Sequence, residues 1–252
     1  MIYSTRGYGK TWLALEIAYT VASGGKFLSW EAENPAGVLY IDGEMPLIEL
    51  QERASQINKR ENKELETPLK FLTRDAQEGN FPNLSTFEGQ EQIESLINDE
   101  IKLVVLDNHS TLFRSGKEDE SDSWLPIQNW FLSLRSLGKS VLLIHHAGKS
   151  GKQRGTSRRE DVLDTVITMK RPAGYKAQDG ACIEFYFEKN RAVFGDDVKP
   201  FEARLDPNTN DDGIEAFKWI CKSLEDSTFD TVCALANKGL GNWEIAQELE
   251  IH

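Results

Sequence analysis

The sequence predicts an α/β fold: a mostly parallel central sheet flanked by helices, antiparallel strands at its C-terminal edge, and a short helical tail. Three observations carry this. Apolar runs alternate with amphipathic stretches along most of the 252 residues, the signature of βαβ units with right-handed crossovers. The runs up to residue 146 are continuously apolar, as expected of strands that helices cover on both faces. From about residue 164 strand-like segments follow one another across turn-rich connections, so the sheet is expected to finish with antiparallel strands.

The elements follow in order. "MIY" is a minimal first strand. Residues 10–22 place Leu13, Ala14, Ile17, Ala18 and Val21 on one helical face, and Gly24-Gly25 stop that helix. "GVLYID", 37–42, is a strand bounded by Pro35 and Gly43. Residues 47–60 form a charged surface helix and "LKFLT", 69–73, another strand. A helix near 87–98 precedes the strand "KLVVLD", 102–107, and a helix from about 124 to 137 precedes "SVLLIHH", 140–146. "DTVITM", "CIEFYFEKNR" and "KPFEARLD" supply the later strands, and "DDGIEAFKWI" adds an edge strand. The end, "STFDTVCALANKGLGNWEIAQELEIH", reads as helix, glycine turn, helix. "SGKEDESDS", 115–123, is a short polar loop.

Composition narrows the function. Hydrophobic content of 39% and charged content of 28% suit a soluble globular protein, and 252 residues suffice for one large domain with a small appendage. Cys182, Cys221 and Cys233 form no C-x-x-C pair, which argues against a zinc site or disulfide scaffold and fits a reducing compartment. No apolar run approaches a membrane span. "WLALEIAYTVASGG" after Arg6 and Lys10 imitates a secretory signal, but Glu16 interrupts it, so a cytoplasmic location is expected. A net charge of −12 opposes general attraction to nucleic acid, so DNA binding requires a local basic patch.

The polar residues at the carboxyl ends of the strands are the informative ones, because ligands of parallel sheets sit there. "STRGYGKT", 4–11, approximates the phosphate-binding pattern G-x-x-x-x-G-K-[ST], with Ser4 at the first glycine. Backbone N–H groups from Arg6, Gly7, Tyr8, Gly9, Lys10, Thr11 and the start of the following helix at Trp12 can wrap a phosphate. Lys10 is suited to neutralise β/γ oxygens and the Thr11 hydroxyl to bind Mg²⁺. A serine fits the entry position if its φ is negative; a chance G-K-T before a helix is the alternative. Asp107 follows four apolar residues, the pattern of a second nucleotide motif that holds Mg²⁺ through water. An aspartate capping a turn is the competing reading. The next residue is Asn108, so the carboxylate that orients an attacking water must come from elsewhere. Glu44 is the candidate, with Asp42 as a weaker competitor.

His146 can hydrogen-bond a γ-phosphate, with His145 as its rival. The segment "AGKSGKQRGTSRR", 147–159, carries Lys149, Lys152, Arg154, Arg158 and Arg159 and no acid. Its +5 leaves the other residues at −17, and a concentrated basic, glycine-containing loop on an acidic body suits a nucleic-acid backbone. A solvated charged loop is the plainer reading. In "FEKNR", Lys189 and Arg191 are two apart on an expected strand and point to one side. They serve either to protect a sheet edge or to reach a neighbouring subunit's site.

Taken together, G-Y-G-K-T, "YIDGEM", "VVLDN", "LLIHHAGKSG…RGTS" and "EKNR" resemble the RecA-like P-loop ATPase core of hexameric replicative helicases of the plasmid RepA type, over roughly residues 1–206. The resemblance implies a homo-oligomer, usually a ring of six, with ATP and Mg²⁺ at each interface. It implies that Lys10 and Thr11 bind phosphate and metal, Glu44 is the catalytic base, Asp107 coordinates metal through water and His146 senses the γ-phosphate. Lys189 and Arg191 match a basic pair donated across the interface, with Arg191 as the finger, and the loop after His146 would grip single-stranded DNA. The expected division is a RecA-like ATPase domain over 1–222 and a helical tail over 223–252. That tail resembles the first two helices of a helix-turn-helix module without its recognition helix; a helical hairpin packed on the core is the alternative. The implied function is an ATP-dependent DNA helicase or translocase. The other readings are a recombination or regulatory ATPase that does not unwind DNA, and a nucleotide-dependent assembly switch.

Overall fold

The computed structural model describes residues 1–114, 124–148, 161–209 and 215–249. Eleven strands are present among the described residues: β1 (Ile2–Ser4), β2 (Gly25–Phe27), β3 (Trp30–Ala32), β4 (Gly37–Asp42), β5 (Leu69–Thr73), β6 (Ile101–Asp107), β7 (Ser140–His146), β8 (Thr165–Lys170), β9 (Cys182–Asn190), β10 (Phe201–Thr209) and β11 (Glu215–Ser223). The helices are α1 (Lys10–Ser23), α2 (Leu47–Glu61), α3 (Phe87–Glu94), α4 (His109–Leu112), α5 (Leu125–Ser136), α6 (Leu224–Asn237) and α7 (Asn242–Glu248). Nine strands form one sheet in the order β11-β10-β9-β8-β1-β7-β6-β4-β5. From β5 to β8 neighbouring strands are parallel, and β9, β10 and β11 complete the sheet antiparallel. This is the expected α/β architecture.

The continuous apolar runs have a direct cause. Along β4, Val38 and Tyr40 enter the core on the α1 side, together with Leu13, Ala18, Val105 and Ile144. Leu39 and Ile41 enter the other core, with Val104, Leu106, Phe113 and Phe131. Each residue type therefore has an apolar neighbourhood whichever way it points, and burying a side chain of this size stabilises by about 1.5–3 kcal/mol. α1 is flanked by Gly9 and Gly24, both at positive φ (80° and 68°), a conformation that glycine adopts without steric cost.

Three features were not expected from the sequence, one of them the short helix α4 that Asn108 caps. The Gly24-Gly25 stop opens a β2–β3 hairpin, and Phe27 and Trp30 at its turn pack edge-on against Trp219 and Phe201, each at 6.0 Å between ring centres. The hairpin thus anchors the late antiparallel strands to the core. The third helix is shorter than expected, ending at Glu94, because Ser95, Leu96 and Ile97 turn back in tight hydrogen bonds.

Register is what prepares the site. β4 and β6 pair Asp42 with Asp107, and β1 and β7 pair Ser4 with His146. Four parallel strands therefore end at one edge of the sheet, and their last polar residues face a common cleft.

Candidate functional site

β1 leads into the loop of residues 4–9, whose Gly7 and Gly9 both have φ of 80°. Ser4 belongs to β1 and is absent from the non-glycine residues of positive φ, so the condition under which serine can stand at the entry is met. The loop turns its lysine inward. Lys10 is 5% exposed and donates to the Ser4 carbonyl (3.0 Å), the Ser4 hydroxyl (3.1 Å) and the Thr5 carbonyl (2.9 Å). Burial lowers its pKa to about 8, against the opposing pull of Asp107 and Glu44.

Asp107 is 3% exposed. It accepts a hydrogen bond from the Tyr40 hydroxyl at 2.8 Å and another from Thr11. Burial nevertheless pushes its pKa upward, because those donors only partly replace water. Asp42 is also held up, to about 7, by burial and by the Asp107 charge. One Asp42 oxygen accepts the backbone N–H of Glu44 (2.9 Å) and of Met45 (2.6 Å), which fixes the turn presenting Glu44. The Glu44 carboxylate, itself exposed, accepts a hydrogen bond from the Asn108 amide and lies 3.6 Å from His146 Nε2. Burial and the Lys10 charge lower the His146 pKa, so its ring is neutral at pH 7 and retains an N–H donor.

These residues line a cleft of about 520 Å³ that includes Arg6, Gly7, Gly9, Lys10, Thr11, Trp12, Glu44, Asp107 and His146. A larger cavity of about 620 Å³ opens at the opposite sheet edge, where its walls are mostly apolar and, among the described residues, no glycine-rich loop enters it. The donors in the 520 Å³ cleft suit Mg²⁺. A threonine hydroxyl beside a buried carboxylate gives hard oxygen ligands, and Mg²⁺ is ordinarily held by one or two carboxylates plus substrate phosphates. Among the described residues no cluster of three His, Cys, Asp or Glu side chains forms an all-protein cage.

The other expected residues fall differently. Tyr8 does not line the cleft; the Arg171 guanidinium lies 5.3 Å from its ring centre. His145 is buried in the core, with its ring centre 4.8 Å from that of His109. Lys189 and Arg191 do not share a strand face, because β9 ends at Asn190 and Arg191 belongs to the following bend. That bend lies at the sheet edge opposite the cleft, since Asn190 pairs with Thr165 at the start of β8. There Arg191 donates to the Asp161 carbonyl at 2.6 Å and stands 3.8 Å from the Asp164 carboxylate. Lys149, Lys152, Arg154, Arg158 and Arg159 lie outside the described residues. Sequence reading passed over Arg53 of α2, which lines the cleft with its guanidinium 5.1 Å from the Trp12 ring centre. Its position nine residues after Glu44, on the turn-and-helix that carries that residue, was the available signal. Among the described residues no helix is long and apolar enough to cross a membrane.

With this geometry in hand, comparison with known proteins gives one family and a shared fold. The family model described as the AAA domain matches residues 1–152. A KaiC-like protein from the hyperthermophilic archaeon Pyrococcus horikoshii has a solved structure similar to this chain, with a TM-score of 0.53 and 14% identity, covering 86% of this chain and 87% of that one. The RadB recombinase structure is similar with a TM-score of 0.50 and 14% identity, covering 81% of this chain and 86% of that one. At such identities the likeness is one of fold: a RecA-like core. No curated protein matches the chain.

Proposed function

Because the chain belongs to the AAA domain family, we propose that it is an ATPase that hydrolyses ATP at subunit interfaces and couples the reaction to single-stranded DNA, as a helicase or translocase core. The observation that carries this reading is the meeting of Lys10, Thr11, Glu44, Asp107 and His146 in one cleft at the carboxyl edge of the sheet. Lys10 meets the phosphates after exchanging its loop oxygens for theirs. Thr11 and Asp107 would hold Mg²⁺, which when bound would neutralise charge on the phosphates. Glu44, the most solvent-accessible carboxylate of the set, takes the proton of the attacking water, and Asn108 orients it. His146, neutral and at the end of β7 beside β1, donates to the γ-phosphate and stands at the head of the basic segment 147–159. Its response to phosphate loss therefore reaches directly into the residues suited to a DNA backbone.

Arg191 lies on the far sheet edge from its own cleft, so it serves a neighbouring copy if it serves any site, which agrees with a ring of identical subunits. The second reading, a recombination ATPase that assembles on DNA without unwinding it, is favoured by the likeness to the RadB recombinase.

The decisive experiment is steady-state ATP hydrolysis at rising protein concentration, with and without single-stranded DNA, beside Lys10→Ala and Glu44→Gln. A per-subunit rate that rises with both, is abolished by Lys10→Ala, and drops about 10²-fold or more in Glu44→Gln with ATP binding retained, is expected. Binding without turnover under all conditions would refute the motor reading. A strand-separation assay distinguishes the helicase from the recombination ATPase.

A further inference from the structure

The cations that could serve a cleft, its own or a neighbour's, are not equally available. Lys10 is surrounded by three loop oxygens. Arg53 lies over Trp12 and 3.7 Å from Glu49. Arg191 is bound to the turn at 161–164 on the opposite edge. Arg6 differs from all three. It sits in the phosphate loop itself, four residues before Lys10, is exposed, lines the cleft, and makes no hydrogen bond or ion pair among the described residues.

We propose, resting on the ATPase reading above, that Arg6 is a catalytic residue: its guanidinium stabilises the γ-phosphoryl transition state within its own subunit. Its position supports this. Its charge acts on both Lys10 and His146, adding to the downward pull on each, so it stands near the two groups between which a γ-phosphate would lie. The adjacent Gly7 has a φ of 80°, and a Cβ added there would meet nothing within 4 Å. Gly7 itself brings no side chain to this stretch of the loop.

The step balances without further reactants. The oxygen of water forms a bond to the γ-phosphorus while the bond from that phosphorus to the β–γ bridging oxygen breaks. The water proton passes to the Glu44 carboxylate, the bridging electron pair remains on ADP, and inorganic phosphate departs. Charge builds on the bridging oxygen as its bond breaks while the rest stays spread over the three equatorial oxygens, and a planar guanidinium with its forked N–H donors can meet the bridging oxygen and one equatorial oxygen at once. Arg6 then supplies basal hydrolysis in each subunit, and Arg191 of a neighbour adds the stimulation that accompanies assembly.

The test compares wild type, Arg6→Ala, Arg6→Lys and Lys10→Ala for ATP and ADP affinity, for kcat at high dilution, and for trapping of ADP with aluminium fluoride, which imitates the transferring phosphoryl group. Arg6→Ala is expected to lower kcat by about 10²- to 10³-fold, to lose aluminium fluoride trapping, and to keep ADP affinity within about threefold. Arg6→Lys should recover part of the rate, because it restores charge but not the fork. A merely structural residue would shift thermal unfolding without affecting the trapped complex selectively. Normal trapping by Arg6→Ala, or an equal loss of ADP affinity and turnover, overturns the assignment while leaving the ATPase reading intact. A wild-type protein that neither hydrolyses ATP nor traps the analogue overturns both.

Discussion

The hydroxyl of Tyr40 on β4 donates a 2.8 Å hydrogen bond to Asp107 on the neighbouring strand β6. Tyr40 is wholly buried, and its own acidity is suppressed by burial and by the adjacent carboxylates, so it remains a donor throughout the working pH range. An ionised carboxylate inside a protein depends on such donors. Tyr40→Phe keeps the ring and its packing against Phe71, 5.5 Å away between centres, and removes the donor alone. We expect a loss of roughly 1–3 kcal/mol of stability, together with a higher Mg²⁺ requirement for nucleotide binding. Denaturant unfolding and Mg²⁺ titrations at fixed ATP measure the two effects; a variant unchanged in both would show that Thr11 alone satisfies Asp107.

Asp42 makes folding stability depend on pH in a direction opposite to that of most carboxylates. Its pKa is raised from 3.8 to about 7 by burial first and by the Asp107 charge second. Between those values the folded protein binds more protons at this site than the unfolded chain, so stability falls as pH rises from about 4 to about 7. The cumulative cost is on the order of 4 kcal/mol. Asp42→Asn retains an oxygen for the Glu44 and Met45 N–H groups and removes the titration. The wild type should therefore lose stability relative to Asp42→Asn across that window, and Mg²⁺ with ATP should reduce the difference by adding positive charge beside the pair. Parallel unfolding curves from pH 4 to 8 would contradict this.

The sheet was legible because its strands are buried on both faces. Ile41 and Leu106 could not be anything but core, and the polar residues that end those runs had to lie at the strand tips. Lys10, Glu44, Asp107 and His146 were picked out in this way, and the structure brings them to one cleft. What escaped depends on contacts distant in sequence. The β2–β3 hairpin exists because Phe27 and Trp30 meet aromatic residues from strands about 170 to 190 residues later, and no local pattern announces them. Asn108 read as a missing glutamate, whereas its amide is what holds Glu44. Alternation in "EKNR" placed Arg191 beside Lys189, but the strand stops at Asn190, where backbone pairing with Thr165 ends and Arg191 bonds to Asp161 and Asp164.

The place of Arg191 on the opposite edge yields a complementation prediction. Its contacts there are exposed and partly ionic, a kind worth about 0–1 kcal/mol, so Arg191→Ala should fold normally. If it completes a neighbour's site, Arg191→Ala should lose the rise in per-subunit rate with protein concentration. Mixing it with Lys10→Ala, which has a disabled cleft and an intact Arg191, should restore part of that rise. Mixtures that show only the summed rates of the separate variants would assign Arg191 to the 161–164 turn and nothing more.

Gly43 offers a way to disturb the placement of Glu44 without touching any charged group. Its N–H donates to the Asp107 carbonyl at 2.8 Å, and a Cβ at this position would lie 2.6 Å from the Thr111 hydroxyl and 2.8 Å from a Leu112 methyl. Both neighbours belong to α4, the short helix that Asn108 caps. Alanine must therefore push the Asp42–Glu44 turn away from α4, lengthening the reach from Glu44 to Asn108. The phosphate loop, on the other side of the cleft, is left in place. Gly43→Ala should accordingly destabilise the fold by about 1–3 kcal/mol through overpacking and lower kcat at least tenfold, with ATP affinity changed little. The split between kcat and affinity is the informative measurement, since displacement of a water-activating carboxylate affects the transition state and not the bound nucleotide. Equal losses in both would mean that the turn also shapes the nucleotide pocket.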